Sequence, residues 1–336
     1  MLTVPEKAPL LDQFQRVLVT GGSGFIGRHL ATALVSLGKQ VVALDNLPAG
    51  LNRTLPRGAT FLEADLRDYP QALRAATDID LLFHVAGNAS ATISVEDSRF
   101  DFETNTLATF NALEAATACG VKRFLYVSSA SVYGTPQRFP VDEEHPVKPF
   151  VPYGASKLAG ELSSLSFFHA YGLAVVIARP FCVYGPGENP QYAMVEVSRY
   201  LRWHLNHRPI QIVGHMDHKT RDFVHINDAI QALLLMADRG GAGSVFNLGS
   251  GTEVSMRRLT EIIGSATGRQ AEVEEISEVT DDTYRLVADI SELTALGYVP
   301  EVPLAEGVER LADELGENPD LPSTSTIFKR GQKAER

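Results

Sequence analysis

The chain has 336 residues, of which 44% are hydrophobic and 21% charged, which fits a globular protein of one large domain or two packed domains. Its formal net charge of −11 argues against a nucleic-acid-binding protein, which needs a basic face. Two cysteines do not imply a disulfide framework, and the sequence lacks both a secretory signal pattern and an apolar stretch of the roughly 18 to 20 residues that span a bilayer. We therefore expect a cytoplasmic protein with no nucleic-acid or membrane partner.

Short apolar runs alternate with longer amphipathic runs through the first half of the chain. The predicted strands are "RVLVT", "QVVALD", "ATFLEAD", "IDLLFHVAG", "RFLYVSS" and "AVVIARP". The predicted helices are "GFIGRHLATALVSLG", a short one around "PQALRAAT", a long one over about 100–118, and "PYGASKLAGELSSLSFFHAYG". Uniformly apolar strands that alternate with helices predict an α/β fold of the Rossmann type, with a doubly wound parallel sheet covered on both faces.

The regular alternation ends after about residue 180, where "VYGPGENP" indicates a loop. Helical and strand-like segments then mix, which predicts a smaller C-terminal α/β domain laid over the first one. We expect a dinucleotide-binding domain at 14–182, with room for later segments to return to its sheet. A substrate-binding domain is expected at 183–318, and a flexible polar tail at 319–336.

A glycine-rich turn lies between the first predicted strand and the helix that follows it. In "VLVTGGSGFIGRHL", Gly21, Gly24 and Gly27 recur at every third residue. Glycine lets the backbone turn sharply and approach a pyrophosphate, and the amides at the start of the helix attract the anion. A turn that binds no ligand is the alternative, but the position between a strand and a helix favours dinucleotide binding.

Acidic residues follow the second and third predicted strands. Asp45, roughly 20 residues past the glycines, can accept hydrogen bonds from both ribose hydroxyls of an adenosine and would repel a 2′-phosphate. We therefore predict NAD rather than NADP as the cofactor, with a helix-capping or turn aspartate as the alternative. Asp65 and Leu66, at the end of the third strand, are expected near the adenine.

A tyrosine and a lysine, Tyr153 and Lys157, are four residues apart in a predicted helix and so share one face. A tyrosine with a pKa near 10 is a poor base at neutral pH, but a nearby ammonium and the positive nicotinamide ring would lower its pKa. Alone, the pair also fits an ordinary helix with a packed tyrosine and a surface lysine. Ser128, Ser129 and Ser131 end the preceding strand, where they either form a turn or include a catalytic group.

Taken together, these motifs resemble the extended short-chain dehydrogenase/reductase family, in its branch of NAD-dependent nucleotide-sugar epimerases and dehydratases. The resemblance rests on "TGGSGFIG", "DNLPAG", "HVAG", "SVEDSRFDFETN", "VSSASVYG", "YGASK", "VYGPG", "RDFVHINDA", "FNLGSG" and "ADISELTALGY". It implies that Tyr153 is the general acid/base, that Lys157 is its partner, and that Ser129, four residues before Tyr133, is the catalytic serine. It also implies that Asn105 supports the active-site helix.

The same resemblance implies a set of residues that bind NAD, and a homodimer formed through helices near 100–118 and 153–171. The implied cofactor-binding residues are Gly21, Gly24, Phe25, Ile26, Gly27, Asp45, Asn46, Asp65, Leu66, Val85, Ala86, Gly87, Tyr153 and Lys157.

The residues after the predicted catalytic serine separate the branches of this family. Its dehydratases carry an acid there, whereas this chain has Ala130 and Ser131. Alanine cannot transfer a proton, so elimination of water is disfavoured and the segment looks most like that of sugar 4-epimerases. The resemblance then implies that Tyr153 removes the proton of the sugar 4-hydroxyl while hydride passes to NAD. The 4-keto sugar rotates, and hydride returns to its opposite face.

The expected substrate is a nucleotide-diphosphate sugar, with UDP-glucose/galactose and UDP-glucuronate/galacturonate as the leading pairs. The implied substrate-binding residues are Ser129, Ser131, Cys182, Asn189 and Arg221. The chain departs from the family's pattern in carrying Cys182 where Asn or Thr is usual, and in lacking an arginine near Val279, for which Arg285 is a possible substitute. A one-way keto-sugar reductase and an NAD-sensing protein without enzymatic activity are the alternatives.

A histidine-rich segment, "HLNHRPIQIVGHMDH", carries His204, His207, His215 and His218. Histidines at such spacings can bind a metal. No cysteine or carboxylate pattern completes a ligand set, so we predict no metal site and interpret these as loop histidines near an anionic substrate.

Overall fold

The computed structural model describes residues 11–46, 58–190, 195–276 and 285–322. The strands are β1 (Arg16–Thr20), β2 (Gln40–Asp45), β3 (Thr60–Glu63), β4 (Leu81–His84), β5 (Arg123–Val127), β6 (Val175–Pro180), β7 (Cys182–Tyr184), β8 (Ile210–Val213), β9 (Thr220–His225), β10 (Ser244–Leu248), β11 (Glu253–Ser255), β12 (Val273–Ile276) and β13 (Arg285–Leu286). The helices are α1 (Phe25–Ser36), α2 (Tyr69–Ala76), α3 (Ala91–Glu96), α4 (Ser98–Asp101), α5 (Ala108–Ala118), α6 (Pro152–Tyr171), α7 (Glu196–Leu205), α8 (Ile226–Arg239), α9 (Met256–Thr267), α10 (Ser291–Ala295) and α11 (Leu304–Leu315).

Within these ranges, seven parallel strands form the main sheet, in the order β10-β6-β5-β4-β1-β2-β3. Side chains alternate across it: Val17 and Val19 of β1 pack into the core on one face, with α1 and α8, whereas Leu18 packs into the core on the other, with α2 and α5. Both faces are therefore covered by helices, and the predicted Rossmann-type, doubly wound fold is confirmed.

The last strand of the main sheet comes from the second half of the chain. β10 pairs with β6 in parallel, from Ser244 beside Val176 to Leu248 beside Pro180. The sheet therefore draws on a segment beyond residue 182, where the sequence analysis set its domain boundary. That division of the chain into domains stays a prediction, as does the flexible tail at 319–336, of which residues 323–336 lie outside the described part.

A third core lies in the second half, where β9 pairs with β7, β11 and β13, and β8 pairs with β12. Buried residues such as Tyr200, Phe223 and Ile263 pack α7, β9 and α9 together. β7 begins at Cys182, separated by one residue from the end of β6 at Pro180. β7 and its partner β9 therefore follow the carboxyl end of β6. Within the described ranges, no helix is long and apolar enough to cross a membrane.

The helix predicted over 100–118 is interrupted. α4 ends at Asp101, a π-helical turn covers Phe102–Leu107, and α5 then runs on to Ala118. The turn contains buried Asn105, whose side-chain amide donates to Ser156 Oγ on α6 at 3.1 Å. Such turns are frequent at functional sites, and this one fixes a polar side chain between two helices.

Candidate active site

The glycine turn has the close backbone contacts that its sequence predicts. A Cβ on Gly27 would lie 2.0 Å from Gly21 O, and a Cβ on Gly21, whose φ is +66°, would lie 2.8 Å from Ala86 N. α1 begins at Phe25 directly after Gly24, which has no side chain to cap the first amides. Those amides can therefore receive an anion, and the turn fits the pyrophosphate of a dinucleotide.

Asp45 lies at the carboxyl end of β2, beside this turn, and its Oδ2 accepts a hydrogen bond from Ser23 N at 2.9 Å. Asp65 lies in the neighbouring segment after β3 and forms an ion pair with Arg67, 2.6 Å from Nη2 to Oδ2, which holds the pKa of Asp65 below its usual range. Asn46 also donates a hydrogen bond to Asp65. Leu66, predicted near the adenine, is buried in the core between the sheet and α2.

The segment after β4 connects the glycine turn to the predicted lysine. The amides of Val85 and Ala86 each donate to Thr20 Oγ1 at 3.2 Å, which ties this segment to the end of β1. A Cβ on Gly87, where φ is +152°, would lie 3.4 Å from Lys157 Nζ. The predicted cofactor-binding residues of three separate segments therefore meet at the carboxyl edge of one sheet, which is where open α/β sheets bind their ligands.

The predicted serine and tyrosine are in contact. Ser129 caps a 3₁₀ turn at Ala130–Tyr133 and accepts a hydrogen bond from Ser131 N at 3.1 Å. Burial raises the pKa of Tyr153 above its usual value, and the Ser129 side chain, which interacts with the tyrosine hydroxyl, only partly offsets this. The lowered pKa that the sequence analysis predicted therefore requires charge from a bound cofactor, since the protein alone does not provide it.

Lys157 lies one turn after Tyr153 on α6 and is buried, contrary to the surface position of the alternative interpretation. Its Nζ donates to Val127 O at 3.0 Å and lies 5.4 Å from the centre of the Tyr126 ring. Burial lowers the pKa of Lys157 to about 8, although the carboxylates of Asp101 and Glu161 favour the charged form. The fold therefore holds the ammonium at a buried position where its charged form is disfavoured. This position is next to Gly87, at the carboxyl edge of the sheet where the cofactor is predicted to bind.

Sequence reasoning missed Asp101, a buried acid near this lysine. Its Oδ1 accepts hydrogen bonds from Asn88 Nδ2 at 2.7 Å and from Asn105 Nδ2 at 3.0 Å. Asp101 Oδ2 and Asn105 Oδ1 are buried and, within the described part of the chain, have no hydrogen-bond partner. The signal was available in the sequence, because Asp101 stands four residues before Asn105 in a helical pattern and so shares its face.

Two of the predicted substrate residues, Cys182 and Arg221, lie on the paired strands β7 and β9. Arg221 on β9 is buried and its Nε lies 3.3 Å from Glu196 Oε1, so a second acid missed by sequence reasoning occupies this region. Burial disfavours the charged form of Glu196, but Arg221, Lys219 and Arg199 outweigh it and keep its pKa below the usual value. Burial also raises the pKa of the Cys182 thiol strongly, so the thiol is neutral, and its side chain packs against the third core.

The other predicted substrate residues are less closely gathered. Asn189 is half-buried in the segment between β7 and α7. Arg285 forms an ion pair with Glu253, with Nη2 2.7 Å from Oε2, and lies over the ring of Phe139. Arg285 lies on β13, which pairs with β9 next to Thr220, and its guanidinium is already bound by Glu253 there. Val279 lies outside the described residues.

The four histidines fall into two pairs, one in contact with Arg269 and one stacked, and His204 lies on α7 and not in a loop as predicted. His204 Nε2 lies 2.8 Å from Thr267 Oγ1, His207 contacts Arg269, and the rings of His215 and His218 stack 4.6 Å apart. Over the described residues, no group of three or more His, Cys, Asp or Glu side chains could hold a metal ion.

Residues 17–249 match the model of the NAD dependent epimerase/dehydratase family. The chain therefore belongs to this family of extended short-chain dehydrogenase/reductase enzymes, and the predicted family, enzyme class and NAD cofactor are confirmed.

Individual relatives cover nearly the whole of this chain. A protein of Mycolicibacterium smegmatis named UDP-glucose 4-epimerase is 35% identical over 306 residues, which are 89% of this chain and 97% of the relative. The structure of a Thermotoga maritima UDP-glucose 4-epimerase with UDP-glucose matches with a TM-score of 0.85 and 30% identity, over 89% of this chain and 98% of that one. A dTDP-glucose 4,6-dehydratase of Streptomyces venezuelae, solved with NAD, matches with a TM-score of 0.82 and 28% identity, over 89% and 96%. The chain is thus similar to enzymes of both branches.

Proposed function

We propose that the chain is an NAD-dependent nucleotide-sugar 4-epimerase acting on UDP-glucose/galactose or UDP-glucuronate/galacturonate. The observation that carries the proposal is the serine turn packed against the start of α6, which brings Ser129 close to Tyr153, one helical turn from Lys157 and beside a glycine turn that fits a dinucleotide. The turn that follows the serine, Ala130–Tyr133, contains no acid. A turn that places no carboxylate directly after the proposed catalytic serine favours proton and hydride transfer at a single alcohol over elimination of water.

The proposed mechanism assigns one task to each side chain. Bound NAD would accept a hydride from the sugar and give it back. Tyr153, as a phenolate, takes the proton of the sugar 4-hydroxyl and returns it after the 4-keto sugar has turned its other face to the cofactor. Ser129 hydrogen-bonds the same sugar oxygen, and the Lys157 ammonium stabilises the phenolate.

Arg221 is the proposed contact for the diphosphate, because a guanidinium suits paired phosphate oxygens. Its neighbour Glu196 neutralises part of this charge when the substrate is absent. Cys182 stands where the family usually has Asn or Thr, and its thiol is only a weak hydrogen-bond donor. Selection of the nucleotide and sugar therefore depends on groups other than this side chain.

The test is incubation of the purified protein with UDP-glucose and, separately, with UDP-glucuronate, without added cofactor, followed by chromatographic separation of the nucleotide sugars. Formation of the 4-epimer supports the proposal. In a parallel incubation with added NAD, formation of NADH in proportion to product would instead identify a one-way dehydrogenase, the reverse reaction of a keto-sugar reductase, and NAD binding without any turnover would identify an NAD-sensing protein. A cytoplasmic location stays a prediction.

We also propose that the chain forms a homodimer through the outer faces of the segment 98–118 and of α6. Large apolar side chains are exposed there, including Phe102 at 55% and Leu162 at 61%, with Phe100 and Phe110 beside them. A second copy that presents the same two segments would cover both faces in a four-helix interface. Sedimentation velocity of the wild type and of Leu162→Asp tests this, because the variant should sediment as a monomer; an unchanged dimer would contradict it.

A further inference from the structure

A buried ion pair connects the helix of the predicted acid/base group to β6, the strand next to the β10 edge of the main sheet. Glu161 lies one turn after Lys157 on α6, and Arg179 lies on β6. The Arg179 guanidinium donates to both carboxylate oxygens, with Nη2 2.7 Å from Oε2 and Nε 3.0 Å from Oε1. Both side chains are almost fully buried. Burying two charges costs about as much as their attraction returns, so stability alone is a weak explanation for the pair.

The pair continues into the serine turn at two points. Ser128 Oγ donates to Glu161 Oε1 at 2.5 Å. Arg179 Nη1 donates to Tyr133 Oη at 2.9 Å, and Tyr133 Oη in turn donates to Asn247 Oδ1 of β10 at 2.7 Å. Ser128 therefore does more than form a turn, since its hydroxyl ties the end of β5 to α6.

These two attachment points enclose Ser129. Ser128 precedes it directly, and Tyr133 ends the 3₁₀ turn that Ser129 caps. Within the turn, Val132 N donates to Ser129 O at 3.2 Å, so the segment between the attachment points is itself hydrogen-bonded. The carboxylate that receives Ser128 belongs to the helix that carries Tyr153. One network thus fixes the turn that carries Ser129 relative to the helix that carries Tyr153.

We propose that Glu161, Arg179 and Tyr133 are positioning residues that hold Ser129 against Tyr153 for the proposed reaction. The kinetic test of this inference rests on the proposed function. Its second test, the pKa of Tyr153, rests only on the contact between Ser129 and Tyr153. A hydroxyl displaced from its partner by a fraction of an ångström loses much of its hydrogen bond, and misplacements of this kind reduce turnover more than they reduce binding.

Tyr133→Phe is the sharpest variant, because it removes one hydroxyl and changes no charge. Tyr298→Phe is its matched control: Tyr298 is also fully buried, and its hydroxyl donates to Gly249 O at 3.0 Å, outside the network. Both variants should lose a few degrees in melting temperature. Only Tyr133→Phe should lower kcat, by about tenfold, with KM and NAD affinity unchanged.

A double-mutant cycle with Ser129→Ala tests whether Tyr133 acts through the serine. In the Ser129→Ala background, Tyr133→Phe should cause no further loss of kcat. A double variant whose fold loss of kcat equals the product of the two single-variant losses would overturn the inference. Equal kcat values for Tyr133→Phe and Tyr298→Phe would also overturn it.

A second readout needs no turnover and separates failure of this inference from failure of the proposed function. The ultraviolet absorbance of each protein is titrated against pH, and the curve of the same protein carrying Tyr153→Phe is subtracted. The difference curve gives the pKa of Tyr153. Because the interaction with Ser129 lowers the pKa of Tyr153, Tyr133→Phe should raise it and Tyr298→Phe should not. If the wild type epimerises no sugar but this shift appears, the proposed function fails and the positioning role stands. An unchanged pKa of Tyr153 in Tyr133→Phe refutes the positioning role in either case.

Discussion

Replacing Lys157 by methionine should make the protein more stable while abolishing its activity. The ammonium is buried with Val127 O as its hydrogen-bond acceptor, and the pKa of Lys157 falls to about 8. Relative to the usual value near 10.4, and at about 1.4 kcal/mol per unit, charging this group in the native state costs about 3 kcal/mol. Methionine has a similar shape and no charge, so Lys157→Met should gain about 2 to 3 kcal/mol at pH 7.

The sign of this effect depends on pH. The unfolded chain binds the lysine proton more tightly than the native state does, so the stability of the wild type rises as the pH increases from about 8 towards the unfolded pKa. The advantage of Lys157→Met should therefore be complete below pH 8 and should shrink steadily above it.

Urea denaturation of nucleotide-free protein at pH 7 and pH 9.5 measures both free energies of unfolding. Lys122→Met serves as the control, because Lys122 is exposed and its ion pair with Asp80, 2.7 Å long, lies at the surface; we expect a change within about 0.5 kcal/mol. A Lys157→Met protein that is less stable than the wild type at pH 7 would refute the reasoning, because it would show that the buried ammonium is a net stabilising group.

Three further variants test separate parts of the site. Tyr153→Phe should bind NAD normally, measured by calorimetry, and lose nearly all turnover; retained activity would remove its assigned role. Gly27→Ala should weaken NAD binding at least tenfold, because its Cβ would lie 2.0 Å from Gly21 O, whereas Gly24→Ala, at 3.1 Å from the same atom, should bind much more nearly like the wild type; equal affinities would contradict the geometry. Arg221→Lys should raise KM for the nucleotide sugar about tenfold with kcat little changed, since it loses the paired donors of a guanidinium; an unchanged KM would place the diphosphate elsewhere.

The features that the sequence predicted well are local ones. The apolar strands, and a glycine turn whose Gly21 needs a positive φ, are specified by neighbouring residues, so their positions follow from pattern alone. The Tyr153–Lys157 spacing belongs to the same class, because four residues make one turn of α6. The edge that these elements form together follows from the rule that parallel strands end on the same side of a sheet.

The features that escaped prediction depend on contacts between distant segments. The π-helical turn at Phe102–Leu107 accompanies the bond from Asn105 to Ser156, 51 residues away, which no local propensity encodes. Glu196 lies 25 residues before its partner Arg221 and belongs to an amphipathic helix, where an acid is unremarkable in the sequence. The raised pKa of Tyr153 likewise follows from burial, a property of the assembled fold.

The most direct test of the proposed epimerisation is the fate of a deuterium atom at carbon 4 of UDP-glucose. With catalytic amounts of protein and no added cofactor, the hydride leaves carbon 4 and returns to it, so the UDP-galactose formed should carry deuterium at carbon 4 and the medium should gain none. UDP-glucuronate labelled in the same way tests the second leading pair. Deuterium at carbon 6 of a 4-keto-6-deoxy sugar would contradict the account and identify a dehydratase. In a parallel assay with added NAD, transfer of deuterium to that external NAD would identify a reductase or dehydrogenase.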